Sequence, residues 1–283
     1  MSKFPPHALI MVGIACLVAL TGCANRVASD MSLPSPGTVE PKTSGAGGVN
    51  GATGVSGAGP SYTTSEAIVQ GGNCQAGRCG QLTIRSVSFA GYPEMTQFID
   101  MALSSMAFLD SDHVPPYRGL AQLSTFFKAT SKSADEIVLQ AKVVRHDPAL
   151  VVVALSSYIF QGGAHGISAV QYINWFPVHN HVASLETMLI PGAFPKFVDA
   201  LREQHAHWLL RSKEAIGPDL KAFERAWPFK PTDNAALMPD GLRVTYDRYV
   251  IAPGSFGEPN ITVPYSALKG ILRSNYLEGA QGR

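Results

Sequence analysis

Apolar and polar positions fall into two rhythms along this chain. Between residues 81 and 89, Leu82 and Ile84 keep one alternating phase and Val87 and Phe89 the other. That pattern predicts a strand with a bulge in its middle. Pro93 and Glu94 then open a helix, in which Met95, Phe98, Ile99, Ala102 and Met106 recur at the spacing of one buried face. A second helix is expected over 117–128. Residues 136–145 alternate again, with Ile137, Leu139, Ala141 and Val143 on one side. The turn Arg145-His146-Asp147-Pro148 sends the chain back as an apolar strand ending at Phe160, and a further strand covers 168–176. A helix over 195–213 should turn Phe194, Phe197, Val198, Leu201, Trp208 and Leu209 inward. Pro239-Asp240-Gly241 forms a turn before the alternating Leu242, Val244 and Tyr246, and a last helix fits 265–276. This order predicts an α+β fold of antiparallel β-sheet hairpins packed with helices on one face, a single domain.

The first 65 residues do not share these rhythms. One cation, Lys3, precedes thirteen uncharged residues at 8–20, followed by Leu20-Thr21-Gly22-Cys23. Thirteen residues are too few for a helix across a bilayer, which needs about 20, and they fit the apolar region of a signal peptide. The tetrapeptide resembles the bacterial lipobox, which implies cleavage before Cys23 and lipidation of its thiol and new amine. Several acyl chains, at about 0.8 kcal/mol per buried CH₂, hold a protein stably at a membrane. By the same resemblance, Ala24 and Asn25 lack the retaining aspartate, so the outer membrane is expected, with the domain facing the periplasm. Gly, Ala, Ser, Thr, Pro and Asn dominate 24–65. Such a segment cannot bury enough apolar area to offset its ordering, so it is expected to be a tether of ~35 Å r.m.s. span. The expected organisation is thus a signal peptide over 1–22, a lipidated linker over 23–65 and a globular domain over 66–283.

Charge and cysteine content narrow the functions. With 22 basic and 21 acidic residues the formal charge is +1, which gives no electrostatic case for a nucleic-acid partner. Cys16 leaves with the signal peptide, Cys23 carries the lipid, and Cys74 and Cys79 remain. A pair four residues apart in an oxidising compartment reads as a disulfide. A metal site there would need two more ligands, and no His, Asp or Glu lies close by in sequence.

Two strings carry a family resemblance: SSYIFQGGAHG at 156–166, and DGLRVTYDRYVIAPGSFGEPNITVPYSALKGIL at 240–272. The Gly162-Gly163-Ala164-His165-Gly166 loop, the Tyr-x-Ile-Ala-Pro run from Tyr249 to Pro253 and Val263-Pro264-Tyr265 together resemble the RsiV-type domain. YPEMTQFIDMAL, from Tyr92, is similar to the companion segment that precedes it. The resemblance implies a companion segment over 81–160 and an RsiV-type core over 156–272. The family occurs as the extracellular part of a lysozyme-binding anti-sigma factor, as an accessory domain of polysaccharide deacetylases, and as free-standing secreted proteins and lipoproteins. Only seven residues precede the apolar run, so no sigma-factor-holding segment is expected. The chain departs from the family pattern at Gly254-Ser255-Phe256, where an aromatic usually follows the proline, and at Asn174-Trp175-Phe176 running into His179 and His181.

The Gly162–Gly166 loop and the two departures supply the candidate binding loops: His165, His179, His181, Ser255 and Phe256. His165 sits between glycines that free the backbone to face a ligand, yet no nucleophile, base and orienting group can be assembled around it, so a loop-bracing role is expected. His179 and His181 could share one strand face as zinc ligands do, but Pro177 and Asn180 argue for a hairpin tip and no third ligand is apparent. His205 reads as a core histidine with its polar atoms satisfied and His207 as a solvated one. Asp110-Ser111-Asp112-His113 lacks the glycine and further carboxylates of a calcium loop. No catalytic residue, metal or cofactor is expected. The expected function is a non-enzymatic envelope module that binds a periplasmic ligand, a lysozyme-like peptidoglycan hydrolase in its most specific form. A structural, peptidoglycan-associated role and an envelope hydrolase using His165 are the alternatives.

Overall fold

The computed structural model describes residues 59–108 and 113–280. The signal peptide, Cys23, most of the tether and the Asp110–Asp112 acidic run lie outside the described residues. Strand β1 (Tyr62–Gln70) opens the fold, followed by β2 (Gln81–Phe89), helix α1 (Pro93–Ser105), helix α2 (Leu120–Thr130), β3 (Glu136–His146), β4 (Val151–Phe160) and β5 (Ile167–Phe176). A short β6 (His181–Ala183), the single turn α3 (Leu185–Met188), the long α4 (Phe194–Arg211) and the small α5 (Lys213–Ile216) and α6 (Leu220–Ala226) come next. The chain finishes with β7 (Ala235–Met238), β8 (Gly241–Thr245), β9 (Asn260–Val263) and α7 (Ser274–Ala280). Strands β1 to β6 form one sheet in sequence order and β7 to β9 a second. All neighbours are antiparallel except β2 and β3. No helix among the described residues is long and apolar enough to cross a membrane.

Both faces of the large sheet are covered, not one as the helix pattern implied. Strand β4 shows why. Its run VVVAL has no polar phase, as expected of a strand buried on both sides. Val151, Val153 and Leu155 join Met95, Phe98, Ile99 and Leu103 of α1 and Leu123 and Phe127 of α2 in one core. Leu150 and Val152 face the other way, into a second core with Phe197 and Leu201 of α4 and Leu237, Leu242, Val244 and Ile261 of the small sheet. The domain is therefore three-layered: helices, sheet, then α4 with the second sheet.

Polar side chains join the two sheets. Asn174, buried on β5, donates from Nδ2 to the Ala235 carbonyl at 2.9 Å and accepts at Oδ1 from the Leu237 N–H at 2.8 Å. Asn234 Nδ2 donates to the carbonyls of Val170 and Thr245, and the Tyr172 hydroxyl meets Thr245 Oγ1 at 2.9 Å. Arg145 is buried between the sheets, where it pairs with Asp147 and donates to the Leu237 carbonyl at 3.1 Å. The Tyr265 hydroxyl donates to the Met238 carbonyl at 2.6 Å, and burial pushes its pKa up to about 12.

Several expectations need correction. The β1–β2 ladder runs without a register shift, so β2 has no bulge. Its change of phase falls at Arg85, where the ladder to β3 ends. The bulge lies in β3 between Val143 and Arg145, which is how Arg145 comes to face the second sheet. The tether ends earlier than residue 65, because β1 begins at Tyr62. Helix α2 starts at Leu120, after Gly119 at φ +81°. The expected terminal helix is split into a 3₁₀ turn at Tyr265–Leu268 and α7, with Gly270 at φ +72° between them. Phe194 is 46% exposed, because it stands at the first turn of α4, ahead of the face that Phe197 and Leu201 bury.

Candidate functional site

The Gly162–Gly166 loop joins β4 to β5, and its glycines answer to backbone geometry. Gly162 and Gly163 have φ of +100° and +97°, a region that favours glycine. A Cβ on Gly166 would come within 2.5 Å of the Tyr158 ring and 2.8 Å of the Ile159 carbonyl. These constraints leave His165 exposed at the tip. A second loop, from Asp247 to Glu258, folds beside it. The Val170 N–H donates to Asp247 Oδ1 at 3.1 Å, and Ser168 Oγ donates to Glu258 Oε1 at 2.8 Å. The His165 and Tyr249 rings meet edge to face at 5.8 Å.

Tyr249 is the residue that the sequence reading missed. It is 48% exposed and its backbone sits at φ +68°, unfavourable for a bulky residue. Its ring lies over Gly254, where a Cβ would come within 2.4 Å of the phenol carbon and oxygen. Gly254, the departure from the family pattern, is thus the space that the Tyr249 ring occupies. Tyr249 opens the Tyr-x-Ile-Ala-Pro run, so the sequence marks its position, but its meeting with the His165 ring depends on the fold.

The second loop carries Asp247, Arg248 and Glu258. Desolvation raises the pKa of the Asp247 carboxyl, the Val170 N–H opposes that shift, and Glu258 adds to it. Among the described residues His165 has no hydrogen-bonded carboxylate or hydroxyl, and no group of three or more His, Cys, Asp or Glu is placed to hold a metal ion.

The five candidate residues do not form one surface. Ser255 is exposed beside this site, in a 3₁₀ turn at Gly254–Phe256. Phe256 turns inward, packing against Trp208 at 5.8 Å and Phe223 at 5.9 Å, so its ring braces α4 and α6. His179 and His181 lie past the far end of β5, about 30 Å away at ~3.3 Å per residue. They do not share a strand face either. His179 ends a 3₁₀ turn, Asn180 at φ +43° reverses the chain, and His181 begins β6 with Nε2 3.3 Å from the Tyr276 hydroxyl. Asn180 is held there because its Oδ1 accepts from the Trp175 indole N–H at 3.2 Å. Cys74 and Cys79 are joined by a disulfide in the loop between β1 and β2, away from both groups. Two open clefts, one along Ile190, Pro191 and Arg273 and one along Phe89, Pro93 and Gln97, hold none of the candidates.

Comparison with known proteins bears on the fold and on the second of the two loops. Residues 186–266, which include the Asp247–Glu258 loop, match the model of a family described as a protein of unknown function, DUF3298. A 150-residue stretch is 25% identical to the peptidoglycan-N-acetylmuramic acid deacetylase PdaC of Bacillus subtilis, covering 53% of this chain. The chain spans about a third of that relative's length, 32%. A DUF3298 family member from Bacteroides fragilis shares the fold, with a TM-score of 0.58, 16% identity and coverage of 79% of this chain and 99% of the other. The crystal structure of a DUF3298 family protein from Pseudomonas aeruginosa PAO1 superposes with a TM-score of 0.71 at 30% identity, over 78% of this chain and 97% of that one. With sequence identity and fold agreeing over nearly the whole of that protein, the chain belongs to the DUF3298 family.

Proposed function

We propose that this chain is a non-enzymatic envelope module, lipid-anchored through Cys23, whose exposed His165–Tyr249 surface holds a periplasmic ligand. The observation that carries the reading is the construction of that surface. The Asp247–Glu258 loop is tied to the first residues of β5 by one side-chain-to-backbone and one side-chain-to-side-chain hydrogen bond, and the Tyr249 ring it carries stands beside the His165 ring at the surface. A rigid tyrosine loses little entropy on binding and fills a partner's pocket well, as binding anchors do. The first ligand to test is a lysozyme-like peptidoglycan hydrolase, as the RsiV resemblance implies.

A second reading is direct association with peptidoglycan. The match to a segment of an enzyme named for peptidoglycan favours it, as do the Asp247 and Glu258 carboxylates, which can accept hydrogen bonds from sugar hydroxyls. Capture experiments with a panel of muramidases and with purified sacculi distinguish the two. The proposal expects capture of one class by the native protein and loss of that capture in Tyr249→Ala. Capture of neither, or capture unaffected by Tyr249→Ala and His165→Ala, removes the surface from the account.

A further inference from the structure

Among the described residues, the sheet edges are short or have their outward groups engaged in every place but one. Strand β6 is three residues long and runs straight into the Ser184 capping box of α3. Where β6 stops, the outer edge of β5 has its Val170 N–H and carbonyl taken by Asp247 and Asn234; β7 has its Ala235 carbonyl and Leu237 N–H taken by Asn174, and β9 is only four residues long. Among the described residues, β1 alone is both long and uncovered. It has nine residues, no proline, no lysine and no bulge, and all but Val69 are exposed, Ile68 by 60% and Tyr62 by 38%. Proline, lysine and bulges are the usual means by which proteins keep an edge from pairing. The one charge of β1, Glu66, is already engaged with Arg85 of its own sheet at 3.1 Å.

The hydrogen-bond phase of β1 can be read directly. The Ala90 N–H donates to the Ser61 carbonyl and the Gly71 N–H donates to the Gly80 carbonyl, both in the register of the β1–β2 ladder. Odd-numbered residues therefore bond to β2, and Tyr62, Thr64, Glu66, Ile68 and Gln70 point their N–H and C=O groups outward. An antiparallel partner must match this phase. A second copy does so with its two-fold axis at any one residue, and the axes that pair at least four outward residues lie at Ser65, Glu66 and Ala67. The axis at Ala67 leaves Tyr62 without a partner and sets the Glu66 carboxylate opposite Ile68. The axis at Glu66 sets two carboxylates opposite each other, a destabilising pairing. The axis at Ser65 sets Tyr62 opposite the second copy's Ile68, twice, and Glu66 opposite its Thr64. Both exposed apolar side chains of the strand then gain a cross-strand partner, and the four hydrogen-bonded pairs make about eight backbone bonds.

We infer that β1 is the contact strand of a homodimer, in which two copies pair antiparallel about Ser65 and join their six-stranded sheets.

Cross-linking in the full chain, expressed with its own leader and read on a non-reducing gel, tests the register. About Ser65 the two Ser65 Cα atoms lie ~4.5 Å apart, in disulfide range, while the two Glu66 Cα atoms lie ~7–8 Å apart, outside it. Ser65→Cys should give a covalent dimer that reductant dissolves, at least tenfold more than Glu66→Cys or the unsubstituted chain. Adding Ile68→Pro removes one outward N–H and leaves the β2 ladder whole, so it should abolish the cross-link without reducing the amount of protein. A monomer from Ser65→Cys, equal cross-linking at both positions, or a mixed disulfide with another protein would each overturn the homodimer.

Discussion

Replacing Asn174 by alanine removes the joint between the two sheets. In the native protein its amide satisfies two buried backbone groups of β7, the Ala235 carbonyl at 2.9 Å and the Leu237 N–H at 2.8 Å. Without it both groups stay buried and unpaired, because Leu237 is fully buried and β8 pairs from the opposite side. Each orphaned group costs about 1–3 kcal/mol, so the loss should be about 2–6 kcal/mol. Against a domain stability of ~5–15 kcal/mol that is a large fraction. Equilibrium urea unfolding should show a lower midpoint with an unchanged slope. Asn174→Asp keeps the acceptor for Leu237 but sets a carboxylate against the Ala235 carbonyl. It should therefore be at least as destabilised at neutral pH and recover partly when acid protonates the carboxylate. An Asn174→Ala protein within ~0.5 kcal/mol of the native one would refute the clamp.

Two other perturbations have determined signs. His205 is buried against Trp208 and Phe229, and burial first, then Arg202, lowers its pKa below the ordinary 6.5. The unfolded chain therefore binds the proton more readily, so stability should fall as pH drops below ~6.5 and level off below the folded-state pKa; His205→Phe should flatten that slope in urea titrations at several pH values. The Cys74–Cys79 disulfide closes a short loop, so Cys74→Ser with Cys79→Ser should cost only about 2 kcal/mol and leave the native near-ultraviolet spectrum intact; outright unfolding would contradict its placement at the domain's edge.

Elements with a strong apolar period were legible in the sequence. The α1 face and the alternation of β3 and β8 follow directly from burial, and β2 has the range read from its residues. Elements whose stability comes from partners were not. Residues 62–65 read as the end of the tether and 66–70 show no period, but the threonines suit an extended backbone and pairing with β2 makes the whole of Tyr62–Gln70 a strand. The four residues of β7 are too few to show a period, and they are held by Asn174 from 61 residues away in sequence. His205 was legible as core, but its Nε2 has no hydrogen-bond partner among the described residues, which spacing on a helix does not reveal. The same holds at the surface. The glycines around His165 marked the loop, but the Tyr249 backbone and its seat on Gly254 depend on tertiary packing.

Calorimetric titration of the native protein, and of Tyr249→Ala, with the muramidase or glycan fragment recovered by capture tests the central claim most directly. A truncated anchor costs about 2 kcal/mol, so Tyr249→Ala should weaken binding about 30-fold while thermal stability holds. His179→Ala, about 30 Å away along β5, should bind like the native protein. Equal affinity for Tyr249→Ala and the native chain, or a loss with His179→Ala instead, would contradict the placement of the binding surface.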